Sequence, residues 1–546
     1  MPSSSAPSSA SRNVLSPEDV RTNAQALVAE GRTDEAFDLF VAALGAVLDK
    51  NRELSLLIHK LRSERTGKRS EKVDPGQLAL LLEQLTAQDT PAEPKPEQVR
   101  ADAEADAELE KELDESRPAI HRKRAPSVDR RKVERCEHRV ELEPGARTCP
   151  RCGQPERRIG SDASRVLEYV PGHFVEHEWR LGKYACGRCK LGVHTAPGPV
   201  KPFGCTAAPS LLAYVTVTKF LDHGPVHRQH RMFARSGVTV PVSTLADWIA
   251  GVGDLVAPVI EVLADRVRAA YVVRTDGSGL KVLAPETPDH IQRGTMWCYV
   301  GDDRDVLFEY AETGKGEDGP WLFLTGRKGY VQADAANVFD RVYNGRVAEA
   351  IEVGCMAHAR RRLVDLKDTD CRVAYPLLLI RRLYKLEELA DLKELTPEAR
   401  AVQRQERSFP ALEKLQRWLV ATVRDEPPSS ALAQAASYFL NHWTALTRFV
   451  EDGRLSLDNN LCERQIRDLA LGRRNYLFAG SHDAARRSAR LYSLMRTCVQ
   501  HGVAPLPYLT DVIEKLAVGW PAHRMAELLP DRWASAHPQA SSVAAD

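Results

Sequence analysis

Apolar positions change their spacing several times along the chain, and each change predicts a different element. From Phe37 to Leu61 two rows repeat every seven residues: Phe37, Leu44, Asn51, Ile58 and Phe40, Val47, Leu54, Leu61. Read as a and d positions they describe a helical zipper, and Asn51 at a buried a site fixes register and favours a dimer. An amphipathic helix packed on its own domain fits the same rows. Ahead of them, residues 17–32 suit a short helix with Ser16 as cap and Pro17 at its first position. Residues 87–119 carry several prolines and the run ADAEADAELEKELDE, which shows no apolar stripe. They predict a linker or a solvated helix. The charge then reverses in HRKRAPSVDRRKVER (121–135), which suits a basic tether or a phosphate contact.

Downstream, residues 207–270 and 370–450 follow helical spacing, whereas 271–360 alternate strand-like runs with turns. AAYVVRTDGSGLKVL (269–283), TMWCYVGDD (295–303) and VLFEYAET (306–313) predict three antiparallel strands. GYVQAD, ending at Asp334, and EVGC predict a fourth and fifth, with a basic helix after the fifth. Three antiparallel strands followed by strand–helix alternation, with acids on the first and fourth, is the layout of an RNase H-like core. The expected fold is therefore multidomain α/β: an RNase H-like core with a helical insertion, preceded by a coiled-coil or helical N-terminus and a cysteine-bearing module.

The boundaries follow the same changes of pattern. A tail and short helix occupy 1–35, the zipper-like segment 36–86, the charged linker 87–135 and the cysteine module 136–205. A helical segment covers 206–268, the first part of the core 269–369, the insertion 370–452, the last part of the core 453–500 and a C-terminal segment 501–546.

Charge narrows the function. Lys plus Arg number 76 against 75 Asp plus Glu, a net charge of +1. A uniformly basic coat is excluded, so a nucleic-acid surface requires local segregation of charge. No apolar run reaches membrane-span length, and the Ser-rich start lacks the apolar core of a secretory signal. A cytoplasmic protein associated with the nucleoid is expected.

The 11 cysteines are scattered except in one region. Cys149 and Cys152, then Cys186 and Cys189, form two CxxC knuckles, and together they supply the four thiolates of a tetrahedral zinc site. The intervening VLEYVPGHFVEHEWR suits a hairpin that brings the pairs together, with Cys136 and His138 as spare ligands. Unrelated thiols or redox pairs are the alternatives. Beyond the module, residues 225–235 and a second helix with Ser243 as cap frame a turn at Ser236-Gly237-Val238, a helix-turn-helix pattern. Its first helix presents Arg228 and Arg231 for phosphates. An ordinary helical hairpin fits equally.

Three acids stand out. Asp276 falls on the first strand or at its end, Asp334 ends the fourth, and Glu463 lies in a helix that Asp458 or Asn459 would cap. Magnesium, or manganese in its place, demands converging oxygens, which this layout provides. Around Glu463, the residues Arg464, Arg467, Arg473, Arg474, Arg486, Arg487 and Arg490 make a surface suited to phosphate. A surface salt bridge is the ordinary alternative for a glutamate beside arginines. Cys355-Met-Ala-His358 is a metal half-site without an evident partner, so His358, Arg360 and Arg361 are read as shaping the active site or touching DNA.

These segments, in this order, resemble the transposases of the insertion sequence sixty-six family, TnpC type. The resemblance rests on LRSERTGKRSEKVDPGQLALL, CPRCG with KYACGRC, VTKFLDHGPVHRQHRMFARSGVTVPVSTLADWI, GYVQADA and GCMAHARRR, and it continues through LDNNLCERQIRDLALGRRNYLFAGS, ARLYSLMRTCVQHGVAPLPYLTDVIEKL and PAHRMAELLPDRW. It implies a DDE triad at Asp276, Asp334 and Glu463, with metal-dependent cleavage and strand transfer of insertion-sequence ends. It also implies terminal inverted repeats and target DNA as partners, a homodimer or larger assembly, and small accessory proteins of the same element. Members usually follow the first Asp with Glu-Thr-Pro, whereas Gly277-Ser278-Gly279 stands here, and TGKRSEK lacks the usual Phe-Gly pair. A catalytically weakened copy acting as a DNA-binding regulator of the repeats is therefore the alternative, and a nuclease that cuts without joining is a third.

Overall fold

The computed structural model describes residues 17–41, 43, 73–87, 94–117, 151–154, 172–185 and 193–538. Most of the heptad rows lie outside these residues, as do Ser16, Cys149, Cys186 and Cys189. The helix predicted from residue 17 is present as Pro17–Ala29.

Five strands make one mixed sheet: β3 (Val272–Leu283), β4 (Ile291–Gly301), β5 (Asp305–Ala311), β6 (Tyr330–Gln332) and β7 (Ile351–Val353), in the order β5-β4-β3-β6-β7. The pairs β3/β4 and β4/β5 are antiparallel, while β3/β6 and β6/β7 are parallel. A separate two-stranded ladder, β1 (Lys183–Ala185) with β2 (Val193–Thr195), lies in the cysteine module. Met296 to Val300 are buried without alternation, the pattern of a strand covered on both faces. The edge strand β5 is closed by the helix His482–Gln500. Thr497 Oγ1 accepts from the Val306 N–H at 3.0 Å, and Ser493 Oγ from the Phe308 N–H at 2.8 Å. Two hydroxyls thus satisfy edge groups that would otherwise invite another strand.

The helical pair before the sheet is Val226–Arg235 and Val242–Leu255. Its turn includes Gly237 at φ 86°. The second helix begins at Val242, with Pro241 rather than the expected Ser243 in the cap position and Ser243 inside the first turn.

The expected helical insertion leaves the sheet after the helix Met356–Val364 and returns before Leu457. At its base the Gly354 N–H donates to Ala445 O (2.9 Å) and the Met356 N–H to Leu457 O (3.1 Å), which ties exit to return. Its helices include Ala374–Leu392, Phe409–Asp425 and Ala431–Asn441, and they form a second core.

The linker expectation for 87–119 is corrected in its middle. Pro96–Ser116 is a helix packed on Ala374–Leu392, with Val99, Leu109 and Leu113 buried. Asp102 and Asp106 are buried on the same stripe. Lys385 Nζ bonds Asp106 Oδ2 at 2.8 Å and Glu110 Oε2 at 2.7 Å, and the Tyr375 hydroxyl donates to Asp102 at 3.0 Å. The acids that made the segment look solvated are the groups that dock it.

Candidate active site

Strand β3 carries Asp276, and the register with β6 explains its neighbour. Arg274 pairs with Gln332 across the two parallel strands. Asp276 and Asp334 each lie two positions further on, so they leave the sheet on the same face at adjacent places. Both are half-buried, and Asp334 stands two residues beyond the end of β6. Asp334 lies just past the carboxyl end of β6, and Asp276 lies within β3 just past the stretch that pairs with β6. A cleft of about 220 Å³ opens there, lined by Asp276, Gly277, Gly279, Trp297, Asp334 and Phe339 among others.

Gly277 accounts locally for the departure from Glu-Thr-Pro. A β-carbon at this position would meet the Trp297 ring at 2.7 Å, so no side chain fits beneath that indole.

Glu463 arrives from the helix Asn460–Tyr476, in the first turn, where the positive end of the helix favours an anion. Three contacts set the entry of that helix. The Asn459 side-chain amide donates to Thr275 O at 2.9 Å, Arg274 Nη1 donates to Asp458 O at 3.1 Å, and the Asn459 N–H donates to Cys355 Sγ at 3.3 Å. Asn459 occupies the cap position, but its side chain makes no cap bond. Asp458 instead accepts from the Asn460 N–H at 3.0 Å.

Burial, together with the charges of Asp334 and Glu463, pushes the Asp276 carboxyl up to about 6. The Gly277 N–H, 2.7 Å from Oδ1, and His358 act in the opposite direction. Asp334 and Glu463 are therefore each within electrostatic reach of Asp276.

His358 Nδ1 stands 3.5 Å from Glu463 Oε1 and 3.3 Å from Cys355 Sγ. Donor-type atoms of Cys355, His358 and Glu463 lie within 4.8 Å of one another. Burial pushes the Cys355 thiol up to about 12, and its sulfur accepts from the Asn459 N–H. His358 thus faces the acids, and Arg360 and Arg361 beside it are half-buried and engaged within the fold.

The basic residues divide into two groups. Arg231, Arg464, Arg467 and Arg474 are exposed and pair with no carboxylate among the described residues. Arg228 is exposed and donates to Asn475 Oδ1 at 3.2 Å, and Arg473 donates to the Gly279 carbonyl. The expectation that Arg486, Arg487 and Arg490 belong to a phosphate surface is corrected. Arg486 pairs with Glu312 (2.6 Å) and Asp483 (2.8 Å), while Arg487 and Arg490 share Asp254 at 2.8 and 3.0 Å.

Of the four knuckle cysteines only Cys152 is among the described residues, and it is exposed. Sequence reasoning missed the roles of Thr275, Trp297 and Cys355 around the acids. The doubled Asn of LDNN was the one available signal for Asn459.

Comparison with known proteins adds the family. Residues 204–487, which contain all three acids, match the model described as Transposase IS66 family. Residues 146–190, which contain all four knuckle cysteines, match the zinc-finger binding domain of transposase IS66. Residues 493–530 match the IS66 C-terminal element. Among curated proteins, the uncharacterized protein y4hP of Sinorhizobium fredii is 31% identical over 88% of this chain and 88% of its own length. Uncharacterized proteins y4qI and y4jD of the same organism are 32% and 30% identical, over 68% and 72% of this chain and 71% and 80% of their own lengths.

Proposed function

Because the chain belongs to the IS66 transposase family, we propose that it is a working DDE transposase, with Asp276, Asp334 and Glu463 as the acids that cut and join DNA ends. The observation that carries this reading is that the end of β6 and the Glu463 helix bring Asp334 and Glu463 within electrostatic reach of Asp276 on β3, whose carboxyl is held up to about 6 by burial and by those two charges. Carboxylate oxygens so disposed, those of Asp276 and Asp334 lining the cleft, fit hard divalent cations, magnesium or manganese. Asp276, Asp334 and Glu463 would hold such ions, which would supply charge neutralisation at phosphorus and activation of the attacking oxygen. The chain itself positions the acids and offers Arg464, Arg467 and Arg474 to the phosphates, with Arg228 and Arg231 on the preceding helical pair. The strand order β5-β4-β3-β6-β7, three antiparallel strands followed by two parallel ones, supports an RNase H-like core interrupted by the insertion.

Membership of the family carries DNA binding, and the zinc-finger match carries zinc binding for the cysteine module. Cys149, Cys152, Cys186 and Cys189 are the proposed ligands, since two CxxC turns supply four thiolates. The domain boundaries stay as read from the sequence, except that the helix Pro96–Ser116 joins the insertion. Terminal inverted repeats and target DNA are the proposed partners. A dimer or larger assembly would hold two ends together, alone or with accessory proteins of the same element. Among the described residues no helix is long and apolar enough to cross a membrane.

The test is strand transfer of a labelled insertion-sequence end into plasmid with Mg²⁺ or Mn²⁺, comparing the wild type with Asp334→Ala. Joined product that disappears in the variant supports the transposase. Binding without cleavage by the wild type supports the regulator, and cleavage without joining supports the nuclease.

A further inference from the structure

The helix that carries Glu463 ends in an unusual way. Leu477 follows its last residue with φ 63° and ψ −40°, and the Phe478 N–H donates back to Tyr476 O at 2.7 Å. This is a γ-turn of the rare, strained hand, centred on a residue whose branched side chain disfavours it. Glycine would occupy the position without strain. The side chain so presented is not hidden: Leu477 is 64% exposed and Phe478 is 41% exposed.

The turn is anchored on both sides. The Tyr476 hydroxyl shares a 2.6 Å hydrogen bond with the buried Tyr492 hydroxyl, and the Leu477 N–H donates to Arg473 O at 2.9 Å. On the far side Ala479 bridges to Val282 of β3. Its N–H donates to Lys281 O, and its carbonyl accepts from the Leu283 N–H, each at 2.9 Å. Two bulky apolar groups are thus held rigidly at the end of the strand that carries Asp276.

Their surroundings identify the partner. Arg474 is exposed without a carboxylate partner among the described residues, Arg473 binds the Gly279 carbonyl on the cleft wall, and Lys219 Nζ lies 6.0 Å from the Tyr476 ring centroid. An apolar tip three residues beyond the exposed Arg474 suits duplex DNA, in which phosphates flank a stacked apolar interior, and proteins that kink DNA insert such tips between base steps. Six residues separate Val282 from Asp276 along β3. At about 3.3 Å per residue this is roughly 20 Å, or about six base-pair steps.

We propose that Leu477 and Phe478 form a wedge that unstacks a base step of the bound DNA end, about six base pairs from the phosphate held at the acids. The inference rests on the DNA-processing reading above. It adds a sequence-tolerant distortion that aligns the strand with the cleft.

The test uses full-length protein and end duplexes carrying 2-aminopurine at successive positions, whose fluorescence rises on unstacking. The wild type is expected to raise the signal at one step near the sixth base pair. Leu477→Gly and Phe478→Ala should abolish that rise while retaining binding. Cleavage should fall roughly tenfold or more and recover on a duplex with a mismatch at that step, because the cost of unstacking is then removed. Leu477→Gly should melt at the same temperature as the wild type or higher, which separates this result from misfolding. An unchanged fluorescence rise in both variants, with binding intact, overturns the wedge and points to a protein contact at this tip. Failure of the wild type to bind any end duplex would instead overturn the reading beneath it.

Discussion

The side-chain amide of Asn459 donates to the carbonyl of Thr275 at 2.9 Å, and this single bond links the start of the Glu463 helix to the residue before Asp276. Strand and helix are otherwise far apart in sequence, separated by the whole insertion. The bond, with Arg274 on Asp458 O and the Asn459 N–H on Cys355, sets where Glu463 stands relative to the two aspartates.

Asn459→Ala should therefore lower metal-dependent cleavage by roughly 10- to 100-fold, the usual cost of losing a group that orients a ligand. Binding of the DNA end should stay within a few-fold, because Asn459 is buried and contacts no surface that DNA reaches. The concentration of Mg²⁺ needed for half-maximal rate should rise. A uniform loss of rate with an unchanged metal requirement would show that Asn459 only stabilises the fold.

Asp276→Asn should abolish cleavage and yet raise the stability of metal-free protein. The carboxyl is held up to about 6, above its unfolded value, so its charged form is disfavoured in the folded state. That cost is fully present above about pH 6 and fades as pH falls towards the ordinary carboxylate range. At neutral pH the gain should reach at most about 3 kcal/mol. Mg²⁺ should raise the melting temperature of the wild type and leave that of Asp276→Asn nearly unchanged. Equal metal-induced shifts in both proteins would remove Asp276 from the metal site.

Much of this arrangement was legible in the sequence because it is local. Alternating and continuous apolar runs gave the strands, with Asp276 on the first and Asp334 just beyond the fourth. The register that sets Asp276 beside Asp334 depends only on the parallel pairing of β3 with β6. The misreadings were long-range. Asp102 and Asp106 looked like solvent-facing charges because their partners, Tyr375 and Lys385, are more than 270 residues away. Arg487 and Arg490 looked available for phosphate because Asp254, which takes both, belongs to a different helix. Charge in a sequence shows sign without partner, so it foretells surfaces less well than apolar spacing foretells cores.

Arg404 is a case of such a partner set. It is almost fully buried, bonds Glu387 through two nitrogens at 2.8 and 2.6 Å, and donates to the carbonyls of Phe449, Asp452 and Leu455. It thereby fixes the return of the insertion just ahead of Glu463. Arg404→Met should destabilise the insertion by about 3–5 kcal/mol, since Glu387 is left charged with only Arg400 beside it. Arg404→Lys should restore little, because an ammonium cannot span the fork. Urea melts that shift by less than a tenth of that energy would show that water replaces these bonds.

Lys219 carries the opposite balance. It ends the helix Pro209–Phe220 with its ammonium 5.2 Å from the Phe220 ring centroid and 6.0 Å from that of Tyr476, and it pairs with no carboxylate among the described residues. Burial pushes it down to about 8, and the two rings offset only part of that penalty. A lowered lysine costs stability wherever both states are charged, which is below about pH 8. The cost is relieved as pH rises from 8 towards the unfolded value, because the folded protein loses its proton first. Lys219→Met should therefore be more stable than the wild type at pH 7, by at most about 3 kcal/mol, and the difference should shrink through that window. The residue stays part-exposed beside the Tyr476 ring, where a bound phosphate would stabilise its charge. The same variant should bind DNA ends more weakly at low salt, and the slope of log affinity against log salt should flatten by about one. Gained stability without that change of slope would make Lys219 a packing residue and remove it from the DNA surface.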